Sequence, residues 1–89
     1  MAAALSDAER VLKLIERTRL LIAVDDEMPT AIKLNTQPML KMLEAAITAE
    51  DGVDEPRAAG YYGALYAELQ TYPDLEALLS AMRVFLPYL

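Results

Sequence analysis

The chain has 89 residues, enough for one domain and one core but not for two. It holds no cysteine and no histidine, which removes disulfides, thiolate metal sites and the side chain whose unperturbed pKa lies nearest neutrality. Its 14 acidic and 8 basic residues give a net charge of −6, against the basic stripe that a nucleic-acid binder needs.

That charge is uneven: residues 1–41 carry six Lys/Arg and six Asp/Glu, residues 42–89 two and eight. A domain this size buries roughly 60–65% of its unfolded surface. The 55% hydrophobic content therefore has two readings. Either a face is kept for self-association or a partner, or the abundance of alanine, indifferent to exposure, inflates the figure. "MAAAL" lacks the basic start and long apolar run of a signal peptide, and "LLIAV" at 20–24 is too short to span a membrane. A cytoplasmic protein with no membrane role is expected.

The first helix starts at "SDAE", where Ser6 and Glu9 have capping-box spacing. Val11, Leu14, Ile15, Thr18, Leu21 and Ile22 follow the helical period. Asp25, Asp26 and Glu27 oppose the negative end of the dipole, so the helix should stop near Val24. Arg10, Lys13, Arg17 and Arg19 are the best basic cluster, but Asp7, Glu9 and Glu16 lie among them. A solvated helix surface accounts for that mixture better than a nucleic acid does.

In the second segment Met28, Ile32, Asn35, Met39, Met42 and Ala46 step by four and three, as a packed seam would. Pro38 interrupts it. The expectation is a kink there, or, preferred, a short piece ending near Asn35 and a new helix capped by Thr36. From Met39 to Glu50 the pattern is helical, with Leu40, Leu43 and Ile47 as core and Gly52 as the stop.

Asp54 caps a third helix with Pro56 in its first turn. "AAGYYGALYAELQTYP" holds four of the five tyrosines and two of the three glycines. Gly60, Gly63, Ala64 and Ala67 share one side and suit the close approach of another helix. Tyr62, Leu65, Tyr66 and Leu69 form the bulkier side. Glycine costs about 1 kcal/mol against alanine inside a helix, so close packing is expected in return. A structural seam is preferred to a ligand groove. In the last helix Pro73 sits in the first turn, and Leu75, Leu78, Leu79, Met82, Phe85 and Leu86 mark one face. Pro87 ends it, and the apolar "PYL" should tuck into the fold or a partner. The fold class is all-α, a single four- to five-helix bundle over residues 1–89.

No catalytic residue, cofactor site or metal site is predicted. Ser6 is explained as a cap, and Ser80 has no evident base beside it. "DDE" at 25–27 and "EDGVDE" at 50–55 lack the ligand spacing of a calcium loop. No glycine loop for phosphate is present.

The capped helix, acidic corner and "IKLNTQPMLKMLEAAI" resemble in pattern, over about half the chain, the small helical flagellar export chaperones. That resemblance implies the holding of aggregation-prone export substrates, while Pro38 departs from their continuous hairpins. In size, acidity and helix content the chain is also similar to small acidic immunity or inhibitor proteins that neutralise basic toxins, without a motif of theirs.

The leading expectation is a non-enzymatic adaptor or regulator that binds another protein, with a homodimer as one form. Its contacts should lie near Tyr61, Tyr62, Tyr66, Met39 and Met42, since tyrosine suits interface rims and methionine adapts to varied shapes. The alternative is an acidic inhibitor or chaperone-like protein engaging a basic partner through residues 44–76. A small-molecule binder in the bundle core is a third class, for which no residue names a ligand.

Overall fold

The computed structural model describes residues 5–89, which form four α-helices and, among these residues, no strand. They are α1 (Asp7–Val24), α2 (Thr30–Ile47), α3 (Glu55–Leu69) and α4 (Pro73–Phe85). The helices form a ring in which α1 packs on α2 and α4, and α3 packs on the same two. The diagonal pairs α1/α3 and α2/α4 stay apart. Neighbours run antiparallel, as Gln37 reaching Arg19 and Lys33 reaching Ala23 show for α1 and α2.

α1 begins as its sequence dictates. The Ser6 hydroxyl accepts from the Glu9 amide at 3.1 Å, and the Glu9 carboxylate accepts from the Ser6 amide at 3.2 Å. Two orphan donors are thereby satisfied. At the far end the Asp25 carboxylate takes the amides of Glu27 and Met28, turning the chain towards α2.

α2 corrects the expected break. It runs unbroken through Pro38, starts at Thr30 after Pro29, and has no cap at Thr36. Thr36 is instead buried in mid-helix, its hydroxyl donating to the Ile32 carbonyl at 2.7 Å. Pro38 and Leu34 both lie on the solvent side. The Leu34 carbonyl that proline deprives of a donor can therefore turn to water, which makes the proline tolerable there.

The expected methionine seam is also displaced. Thr36, Leu40, Leu43, Ala46 and Ile47 are the buried face, while Asn35 and Met42 are exposed. The helix stops at Ile47 rather than Glu50. Gly52, with φ +104°, takes the left-handed conformation that the following loop requires.

α3 starts on Asp54, whose carboxylate accepts from the Arg57 amide at 3.2 Å. Its buried residues are Ala58, Tyr62, Leu65 and Leu69. α4 opens with Pro73 and buries Leu75, Leu79 and Met82. Phe85, Leu86, Tyr88 and Leu89 fold back half-buried against the core.

Candidate functional site

The five residues expected at a contact separate into two groups. Tyr62 is a core residue, 3% exposed, and its hydroxyl donates to the Leu79 carbonyl at 2.6 Å, tying α3 to α4. It cannot also meet a partner without leaving the core, so the expected surface role is corrected. Burial pushes its pKa up. Tyr66 is half-buried, stacked on Tyr62 with ring centroids 6.2 Å apart. Its hydroxyl donates to Glu76 at 3.0 Å, and that bond raises its pKa. The same Glu76 oxygen accepts from Ser80 at 2.8 Å. Met39 is half-buried against the core.

Met42 and Tyr61 do come together. Met42 is 50% exposed, and the two side chains line one cleft of about 110 Å³ between α2 and α3, with Ala45, Ala49 and Arg57. Arg57 pairs with Asp54 at 3.7 Å on the surface, so the charge at this end of the cleft is balanced within the chain.

The small-residue side of α3 also differs from expectation. Gly60, Gly63, Ala64 and Ala67 all face outward, and a Cβ built at either glycine would meet nothing within 4 Å. Among the described residues no helix closes the seam. The bulky Tyr62/Leu65/Leu69 side took the core because it removes more apolar surface from water. Two helix-weakening glycines, each costing about 1 kcal/mol, are thus left on an open surface with no packing in return.

This stripe adjoins another. Ala31, Leu34, Pro38, Met42 and Ala45 step along the exposed side of α2, and Leu34 is 69% exposed. Of the charged residues of α2, Lys33 and Glu44 lie towards α1, where Lys33 holds the Ala23 carbonyl and Glu44 acts on Arg19, while Lys41 is exposed in the row of Leu34, Pro38 and Ala45. The exposed apolar side chains of α2 and the small residues of α3 thus border the Met42/Tyr61 cleft, with Lys41 in the same helical row as Leu34 and Ala45 and Glu68 one turn beyond Ala64.

The remaining features have local explanations. Two shallow grooves of about 350 Å³ each between α1 and α4 share Leu21 and Asp74, and carry Arg17 and Asp25 on their walls. Arg10 lies 5.5 Å over the Phe85 ring, and Arg19 pairs with Glu16, so half the basic cluster is engaged within the chain. The Tyr88 hydroxyl is buried without a hydrogen-bond partner among the described residues. Burial, then the charge of Glu55, raises its pKa. Among the described residues no three carboxylates gather as a metal site would require. Among the described residues no helix is long and apolar enough to cross a membrane. No family model, curated protein or solved structure matches this chain.

Proposed function

We propose that this chain is a non-enzymatic protein–protein interaction module that receives its partner on the outer face of α2 and α3. The observation that carries this reading is the open α3 stripe. Among the described residues a Cβ at Gly60 or Gly63 would meet nothing within 4 Å, while Leu34 and Met42 stand exposed on the neighbouring helix. Glycine and alanine permit a partner to approach the backbone closely, and the exposed apolar side chains supply burial when it does. The reading keeps Met42 and Tyr61 as contacts, leaves Met39 half-buried against the core, turns Tyr66 towards α4 through its bond to Glu76, and assigns Tyr62 to the core.

An acidic, charge-driven interface has less support. Within residues 44–76 Asp54 is paired with Arg57, and Glu76 is occupied by Tyr66 and Ser80. The test is capture from native lysate on the immobilised chain, with tagged soluble chain added, at low and high salt. A protein retained at both salts and lost from Ala64→Glu is the expected result. Retention indifferent to Ala64→Glu, or lost in high salt alone, overturns this placement.

A further inference from the structure

We infer that the groove between α1 and α4, across the ring from the α2/α3 face, is a second docking site. Its occupant is an extended peptide segment of another protein, acidic at one end, apolar in the middle and basic at the other. The inference stands independently of the face proposed above.

Two hollows of about 350 Å³ each adjoin there at Leu21 and Asp74. Each has the size of a small ligand site. Between their ends the walls are apolar: Leu21 and Val24 stand opposite Tyr72, Leu75 and Leu78. A shallow trough along two helices suits a chain laid into it.

Charge sets the chemistry of that chain. On α1, Arg10, Lys13, Arg17, Leu21 and Val24 follow one another by three and four residues, so they share the flank turned to α4. The three charges on this flank are basic, and they give way to Asp25, Asp26 and Glu27 where the helix ends. From α4 the groove receives Asp74. Glu76 is turned to α3 by its bond to Tyr66, and Arg83, seven residues on, lies on that same side. The groove is thus basic at one end and acidic at the other.

Arg10 already lies over Phe85, and one Asp25 oxygen holds two amides. Arg17 and Asp74 border one hollow, yet among the described residues neither forms an ion pair. A segment that brings a carboxylate to Arg17 and a cation between Asp74 and Asp25 complements both ends. A wholly acidic or wholly basic segment meets repulsion at one of them. Length agrees. From Arg17 to Asp25 the helix rises about 12 Å at 1.5 Å per residue. Extended chain covers that distance in about four residues, so the order is acid, two apolar residues, base.

The experiment titrates the isotope-labelled chain with the blocked peptide aspartate–leucine–leucine–lysine into the millimolar range, following backbone amide signals by NMR. Saturable shifts should centre on Arg17, Leu21, Asp74 and Ala77 and leave Gly60 and Gly63 still. The isomer aspartate–lysine–leucine–leucine, whose charges cannot reach both ends, should bind at least about threefold more weakly. Asp74→Asn and Arg17→Gln should each weaken the first peptide about threefold, and salt should weaken it too. Ala77→Trp, which fills the hollow from an exposed position, should cost at least about tenfold with circular dichroism unchanged. Ala64→Glu should bind as the wild type does, which separates this site from the α2/α3 face. No saturable shift, or equal binding of the two isomers, overturns the occupant. Binding that survives Ala77→Trp, or that centres on Gly60 and Gly63, overturns the site.

Discussion

Tyr62 and Tyr88 show how one phenol serves two different ends. Tyr62 spends its hydroxyl on the Leu79 carbonyl inside the core, whereas the Tyr88 hydroxyl is buried with no partner among the described residues. Tyr62→Phe should lose about 1 kcal/mol in urea unfolding at neutral pH. Tyr88→Phe should leave the midpoint level or raise it, since it removes a hydroxyl already cut off from water. Equal losses from the two would contradict the hydrogen-bond assignment.

Alkali extends the argument. Tyr62, Tyr66 and Tyr88 all have raised pKa values in the fold, by burial, by the bond to Glu76, and by burial respectively. The unfolded chain releases these protons near the ordinary value of about 10. Their contribution to stability is thus complete below that pH and lost as pH climbs through the folded values. The urea midpoint should fall with rising pH above that point, and fall less steeply in Tyr62→Phe.

Among the elements, α1 was the most legible and α2 the least. Ser6, Glu9 and the acidic corner act through neighbours three or four residues away, so their roles are written locally. Pro38 is read correctly only with knowledge of which side of α2 faces water, and that is decided by α1 and α3. The expected Thr36 cap failed for the same reason: a threonine near a proline looks terminal until a core forms around it. Pro38→Ala should restore one helical hydrogen bond and stabilise the chain by as much as about 3 kcal/mol. Chemical denaturation measures it, and a loss of stability would mean that the proline shapes α2 to its neighbours.

The orientation of α3 was half legible. Its two sides are small and bulky, but neither is charged, so polarity does not say which one meets water. The sequence pattern identified Tyr62, Leu65, Tyr66 and Leu69 as one side, yet assigned the opposite stripe to a seam inside the chain. The same ambiguity put Tyr62 among the surface contacts. Met42 was expected on a packed seam with Met39, and its exposure beside Tyr61 follows from the Leu40/Leu43/Ile47 face taking the core.

At the scale of the whole molecule, the charge and apolar content find separate places. The apolar excess divides between a core of aliphatic residues and the outer face of α2 and α3. Most acids lie at the corners and on α1 and α4, with Glu44 on α2 and Glu68 on α3.

The ring has one further consequence, for the order of the chain. Arg10 holds the Leu5 carbonyl and lies over Phe85, so the first and last helices meet at the end where the described chain enters and leaves. α1 closes onto α4 more extensively than α1 does onto α2 or α3 onto α4, and less than α2 does onto α3. Which helix is synthesised first is then incidental to the architecture. A circular permutant opened at Val53, with a short flexible linker from Leu89 to Leu5, should reach the same helicity and cooperative melting. A permutant that collapses without a cooperative transition would show that the α2–α3 loop, where the Asp54 amide donates to the Ala46 carbonyl, is a required connection rather than a hinge between equals.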